Sequence, residues 1–87
     1  MTETEKTIVE LLHKNLRLKR PVAEIDATTE IFGKGGLGLD SVDVLEIAVL
    51  LDKHFGVRME DQDPRTRTAL ANIGALAAFV DDKKRGA

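Results

Sequence analysis

The residues best suited to chemistry are Asp40 and Ser41, which follow a stretch of six residues containing four glycines and precede an apolar helical pattern. A serine hydroxyl becomes a nucleophile only when a base activates it. The chain has two histidines. His54 lies thirteen residues further along the same predicted helix, and His13 has no acid partner in a triad-like arrangement. The sequence therefore argues against a self-contained hydrolase.

The glycine stretch invites a nucleotide-binding interpretation, because Gly33, Gly35 and Gly38 satisfy the pattern G-x-G-x-x-G. That pattern has physical meaning only after a strand and within a unit that alternates strand and helix. The preceding residues are polar, and the chain is too short for such a sheet. A Walker loop fails as well, because Gly35 follows Lys34 where Ser or Thr is required. We interpret the glycines as loop residues that permit positive φ and close packing.

A third candidate is the acidic segment RMEDQDP, residues 58–64. Its carboxylates lack the spacing of a calcium loop, which needs a glycine in the turn and a terminal glutamate. A solvated loop is the favoured interpretation, and loose cation binding stays open.

Asp40 and Ser41 themselves have two interpretations. Either side chain could cap a helix N-terminus, which is worth about 1 kcal/mol, and Asp43 would then complement the helix dipole. Capping leaves the long glycine loop unexplained. It also leaves unexplained a second apolar stripe, on a different side of the helix from the core-facing one: Val42, Leu45 and Val49. An accessible hydroxyl that another protein handles would account for all three features.

Helical periodicity dominates the chain, so the predicted fold is all-α: a small four-helix bundle with three main helices and one short helix. The first begins at a capping box formed by Thr2 and Glu5 and ends before Pro21, and the second runs from Asp40 or Ser41 to Phe55. A short helix is predicted around Thr66 to Leu70, and Asn72 caps the last one. We predict four inward residues in the last helix: Ile73, Leu76, Ala77 and Val80.

The length of 87 residues supports one domain, residues 1–87, in which we expect residues 82–87 to fray. The absence of cysteine excludes disulfides, thiolate zinc sites and a cysteine nucleophile. The N-terminus does not read as a signal peptide, and no apolar run approaches the roughly 20 residues that span a bilayer. We expect a cytoplasmic monomer without stable membrane insertion.

The charge is concentrated around the Asp-Ser pair. Residues 40–63 carry seven acids against Lys53 and Arg58, a balance of −5, whereas the whole chain has a net charge of −2. A partner that meets this region should therefore present basic side chains. Nucleic acid is disfavoured, because the chain has no basic stripe interleaved with aromatic residues.

The segment GLGLDSVDVLEI resembles the attachment motif of acyl carrier proteins, in which a D-S-[LV] triplet opens the second helix of a four-helix bundle. The order of a long first helix, a long loop, the D-S-V helix, an acidic link and a final helix beginning NIGALAAFV follows the family through nearly the whole chain.

The resemblance implies that Ser41, flanked by Asp40, is esterified by phosphopantetheine, which a separate magnesium-dependent transferase takes from coenzyme A. The chain would then be a non-catalytic carrier that presents acyl thioesters to loading, transferring or elongating enzymes. The thiol of the arm would make a cysteine unnecessary. The implied docking face consists of Val42, Asp43, Leu45, Glu46 and Val49.

Three departures from the family indicate a specialised lipid, polyketide or cell-envelope pathway over standard fatty-acid synthesis. Lys53 and His54 stand where the family is usually acidic, GKGG replaces the acidic approach to the serine, and RTRT and KKR add positive charge. The alternative is an unmodified interaction module of the same fold, in which Ser41 is only a cap. A nucleotide-binding fragment is the least favoured interpretation.

Overall fold

The computed structural model describes residues 1–60 and 62–86. These residues form four α helices and one 3-10 turn: α1 Glu3–Leu16, the turn Val22–Glu24, α2 Asp43–Phe55, α3 Pro64–Ala69 and α4 Ile73–Gly86. Within the described ranges, extended pairing is limited to two isolated bridges, Glu30 with Asn72 and Phe32 with Leu39. The prediction of an all-α bundle with three long helices and one short one is confirmed.

The first helix begins as its sequence predicts. The Thr2 hydroxyl accepts the Glu5 N–H at 3.1 Å, and the Thr2 N–H donates to Glu5 Oε1 at 2.7 Å. The helix ends where Arg17 adopts a left-handed conformation with φ 53°. That turn directs the next residue, Leu18, back into the core.

The last helix lies at the centre of the bundle and contacts α1, α2 and α3. The Asn72 side chain caps it, accepting the Ala75 N–H at 2.7 Å. The buried face includes the four predicted residues, Ile73, Leu76, Ala77 and Val80, together with Phe79.

Gly74, in the first turn of α4, allows the long connection to approach the helix closely. Its N–H donates to the carbonyl oxygen of Ala27 at 2.8 Å, and a Cβ at this position would lie 3.1 Å from the same oxygen. Glycine is unfavourable inside a helix, but here it provides the space that this contact needs.

The connection between α1 and α2 is packed against the bundle. Ile25 and Ile31 are buried, and Asp26 organises the turn between them by accepting the hydroxyl and the backbone N–H of Thr28 at 2.7 and 2.9 Å. These hydrogen bonds, the hydroxyl bond first, hold the pKa of Asp26 below its usual value. The loop is therefore an ordered support for the residues that follow it.

The bounds of the last two helices are set by contacts that the sequence did not reveal. The short helix begins at Pro64, because the Asp63 side chain caps it by accepting the Arg65 N–H at 2.9 Å, and proline suits the first helical position. The last helix extends to Gly86 and so includes residues 82–86, while the fraying expected for residues 82–87 stays a prediction. Lys83 pairs with Asp63 at 3.2 Å, which holds this part of α4 against α3. Ala87 lies outside the described residues.

Candidate functional site

The side chains of two aspartates hydrogen-bond the backbone of the turn that opens the second helix. Asp40 Oδ1 accepts the Val42 N–H at 3.0 Å, and the Asp40 N–H donates to Asp43 Oδ2 at 2.9 Å. The arrangement resembles a capping box, except that Asp40 accepts the N–H of Val42, two residues on, and not that of Asp43. The residues between Asp40 and Asp43 form a turn, so the regular helix begins at Asp43, two or three residues later than predicted.

Ser41 lies in that turn and is exposed. Asp40 and Asp43 satisfy the start of the helix, and among the described residues no hydrogen bond engages the Ser41 hydroxyl. Ser41 is also the single serine of the chain. The capping interpretation therefore applies to Asp40, and the hydroxyl of Ser41 is left available to an external group.

The glycine loop fixes the backbone immediately before this turn. Gly33 and Gly38 have φ angles of 83° and 75°, a region in which side chains are strained. The N–H groups of Gly36 and Gly38 both donate to the Gly33 carbonyl, at 3.1 and 3.0 Å. The loop is thus a compact hydrogen-bonded turn, as the positive-φ interpretation of its glycines predicts.

Gly36 is required for a different reason. It is buried, and a Cβ added to it would lie 2.1 Å from the carbonyl oxygen of Glu30. The next residue, Leu37, donates its N–H to that same oxygen at 2.9 Å. The loop consequently packs directly on the preceding segment. Its last residue, Leu39, is buried (8% exposed) and lies one residue before the capping aspartate.

The apolar stripe on α2 stays uncovered. Val42, Leu45 and Val49 are 74%, 74% and 55% exposed, whereas Ile47, Leu50 and Leu51 on the other side of the helix are buried. Large exposed apolar residues grouped in this way are typical of interaction surfaces. We call residues 40–49, which contain Ser41, the exposed stripe and three acids (Asp40, Asp43 and Glu46), the serine end of α2.

The competing interpretations find little support in this geometry. Within the described ranges, the segment before Gly33 forms only isolated bridges, so the strand that a dinucleotide motif requires is missing. In the acidic segment, Asp63 is engaged by Arg65 at 3.1 Å and Lys83 at 3.2 Å, and Asp61 lies outside the described residues. The part of the chain that the structure describes contains no cluster of three metal-ligating side chains.

Sequence patterns did not identify every residue that supports the site. Leu39 and Leu50 are both 8% exposed and anchor the loop and the helix, but neither belongs to a predicted stripe. Leu50 directly follows the exposed Val49, so grouping apolar residues into stripes at helical spacing does not single it out. The close contact at Gly36 depends on the Glu30 carbonyl across the loop, and only the cluster of four glycines indicated close packing there.

Chemically, the serine end presents an accessible hydroxyl without an associated base. His54 lies at the opposite end of α2, roughly 20 Å away for a helix of 13 residues. Such a hydroxyl can accept a group that another enzyme transfers. The exposed position and unengaged oxygen fit a prosthetic group joined through a phosphodiester.

Comparison with known proteins agrees with this geometry. The family described as "Phosphopantetheine attachment site" matches residues 6–80. An acyl carrier protein of Exiguobacterium sp. is 34% identical over 67 residues, which cover 77% of this chain and 78% of the relative. An acyl carrier protein of Helicobacter pylori (strain ATCC 700392 / 26695) is 30% identical over 63 residues, or 72% and 77% of the two chains.

No solved structure gives a significant match to the chain. Among the described helices, none combines the length and apolar character needed to cross a membrane. The family match extends over most of the bundle and includes the Asp-Ser turn. The chain belongs to the acyl carrier protein family and is a non-catalytic carrier with a covalently attached phosphopantetheine group.

Proposed function

We propose that Ser41 is the attachment residue and that the chain carries acyl intermediates as thioesters on the phosphopantetheine arm. The observation that carries this proposal is the division of roles at the start of α2. Asp40 and Asp43 cap the helix, while the single serine of the chain is exposed and makes no hydrogen bond among the described residues.

Attachment requires a separate enzyme, because among the described residues no base is hydrogen-bonded to the Ser41 hydroxyl. A phosphopantetheinyl transferase supplies the base that accepts the Ser41 proton. The serine oxygen then bonds to the phosphorus of the pantetheine half of coenzyme A, and the adenosine bisphosphate half leaves. The arm supplies the thiol, which this cysteine-free chain cannot provide.

The serine end is also the proposed docking face. Asp43 and Glu46 offer negative charge, and the stripe of Val42, Leu45 and Val49 offers exposed apolar contact. Charges at the rim of an interface mainly raise the association rate and the selectivity. Such a face suits a cytoplasmic, monomeric carrier that must dissociate quickly from a transferase and from each acyl-handling enzyme.

The charge at the other end of α2 supports a specialised pathway. Lys53 and His54 are exposed there. A partner that contacts the whole length of α2 therefore cannot have a uniformly basic binding surface. We propose a dedicated lipid, polyketide or cell-envelope pathway, with partners matched to this mixed surface.

Intact-protein mass spectrometry tests the attachment. The purified chain is incubated with coenzyme A and a broad-specificity phosphopantetheinyl transferase, next to Ser41→Ala and the control Thr68→Ala, which removes an exposed hydroxyl on α3. We expect one added phosphopantetheine on the parent and on Thr68→Ala, and none on Ser41→Ala. Addition to Ser41→Ala would contradict the assignment.

The alternative is an interaction module of the same fold that is never modified. It predicts no added mass on the parent while the transferase modifies a control carrier. It also predicts that Ser41→Ala keeps every partner interaction. The family match disfavours this alternative.

A further inference from the structure

A basic groove lies at the end of the bundle opposite Ser41. It has a volume of about 720 Å³ and runs between the last turn of α2, the segment that follows it, and the last turns of α4. Its walls carry four cations, Arg58, Arg65, Lys83 and Lys84, against one acid, Asp82. We call this feature the basic groove.

Two of the four cations are used within the fold. Arg65 and Lys83 both pair with Asp63, at 3.1 and 3.2 Å. Arg58 and Lys84 are exposed, and no described carboxylate lies within ion-pairing distance of either. The groove therefore presents positive charge that the described part of the fold does not neutralise.

The floor of the groove is apolar, and Lys84, one of its two cations without a described ion-pair partner, lies over that floor. Phe55 is half-buried and Val57 is buried. The Lys84 ammonium lies 5.7 Å from the centroid of the Phe55 ring, within the range of a cation–π contact. An occupant can thus place an apolar side chain on the floor and carboxylates beside Arg58 and Lys84.

We propose that the basic groove binds an acidic segment of a partner protein, with an apolar residue flanked by Asp or Glu. Charge complementarity favours an acidic occupant. The concave shape favours a chain segment over a membrane surface. The large exposed apolar residues of the described chain lie elsewhere: Met1, Val22, Val42, Leu45 and Val49. The groove therefore has no apolar side chain positioned to insert into lipid.

This contact is separate from the serine end. Since α2 has 13 residues, the groove lies about 20 Å from Ser41. A partner could hold the carrier through the groove while Ser41 and the stripe stay accessible. The proposal does not depend on modification of Ser41, and the tests of the two are therefore distinguishable.

An NMR titration tests the proposal. The ¹⁵N-labelled chain is titrated with a synthetic peptide of the repeat Glu-Glu-Leu, and separately with its Gln-Gln-Leu counterpart. We expect the acidic peptide to shift the amide resonances of Gly56, Val57 and Lys84, and to leave those of residues 40–49 unchanged. The neutral peptide should bind at least about tenfold more weakly, because it lacks the carboxylates.

The double variant Arg58→Glu, Lys84→Glu should weaken acidic-peptide binding by at least about tenfold. The matched control Lys14→Glu, Lys19→Glu reverses two exposed lysines elsewhere and should bind like the parent. Ser41→Ala should also bind like the parent, and melting temperatures confirm that each variant is folded.

Equal binding by the groove variant and the parent would overturn the proposal, as would shifts centred on residues 40–49 or no shift at millimolar peptide. Binding to phosphatidylglycerol vesicles without binding to the peptide would also overturn it and assign the groove to an anionic membrane.

Discussion

The two ends of α2 differ in charge, in apolar exposure and in what supports them. The serine end carries three acids and an exposed apolar stripe, and hydrogen bonds within the glycine loop fix the backbone that precedes it. The opposite end carries Lys53 and His54 and adjoins the basic groove, where the apolar residues form a floor. One short helix thus offers two surfaces that suit partners of opposite charge.

The difference shows how a small bundle separates folding from recognition. At the serine end, the side chains of Asp40 and Asp43 accept hydrogen bonds from backbone N–H groups, and the Ser41 hydroxyl makes no hydrogen bond among the described residues. At the other end, Asp63 takes up two cations while Arg58 and Lys84 remain without a described partner. In both places a neighbouring aspartate performs the structural role.

The largest expected effect distinguishes the two faces of α2. Leu50→Ala should lower the free energy of unfolding by about 2–4 kcal/mol, because Leu50 is 8% exposed and its removal leaves a cavity. Leu45→Ala should change it by less than about 0.5 kcal/mol, since Leu45 is 74% exposed. Urea unfolding measures both values. An equal loss in the two variants would show that the stripe serves the fold and is not reserved for a partner.

The next effect concerns the glycine loop. Gly36→Ala should cost about 2–3 kcal/mol, because the new Cβ meets the Glu30 carbonyl at 2.1 Å and the loop must shift. Gly35→Ala is the matched control: its Cβ would have no neighbour within 4 Å. Urea unfolding of the two variants measures the difference. If Gly36→Ala were as stable as Gly35→Ala, the serine end would not depend on this packing.

A moderate effect compares charge at the two ends of α2. Glu46 and Lys53 are exposed and seven residues apart, so they lie on the same face of the helix. Glu46→Lys should slow phosphopantetheine transfer roughly fivefold at low ionic strength, because it weakens attraction to a basic transferase. Lys53→Glu should not slow it.

Transfer rates at several salt concentrations measure this effect, and added salt should narrow the gap between Glu46→Lys and the parent. Glu46 is a cleaner probe than Asp40 or Asp43, since those two side chains also bond the helix backbone. If Glu46→Lys and Lys53→Glu slowed phosphopantetheine transfer equally, the charges at the two ends of α2 would not differ in their effect on the transferase.

The smallest expected effect is a pH dependence at Asp63. The Arg65 side chain, followed by the Arg65 backbone N–H and by Lys83, holds the pKa of Asp63 well below its ordinary value of 3.8. The stability that its charge contributes is therefore fully present above about pH 4, and it is lost as the pH falls through the lowered value. Asp63→Asn keeps a residue suited to the N-cap but removes the charge.

Unfolding by urea at pH 7, 4 and 3 compares this variant with the parent. The parent should be the more stable at pH 7, and the difference should shrink at pH 3. A difference that stays constant with pH would show that the ion pairs of Asp63 do not contribute.

Local sequence signals predicted much of the fold. The capping box at Thr2, the cap at Asn72 and the buried face of α4 depend on residues close together in the chain, and the structure confirms each of them. Helical spacing separated Val42, Leu45 and Val49 from the core face of α2, but it left open whether they pack against the loop, and the structure leaves them exposed.

The remaining features depend on contacts between distant segments. The choice of Asp40 over Ser41 as the cap depends on the geometry of one turn. Gly36 packs against the carbonyl of Glu30, six residues earlier, and Gly74 packs against that of Ala27, 47 residues earlier. The contact of the last turns of α4 with the start of α3 depends on the pairing of Lys83 with Asp63 across twenty residues. Periodicity and composition carry no information about such contacts.

The capping arrangement at the start of α2 has a thermodynamic consequence. Because the fold makes no use of the Ser41 hydroxyl, esterifying that oxygen breaks no hydrogen bond among the described residues. Modification and folding are then almost unlinked, and the two forms of the chain should unfold with nearly the same free energy. On the proposal that Ser41 is the attachment residue, the unmodified chain should therefore resist unfolding about as well as the chain that bears phosphopantetheine.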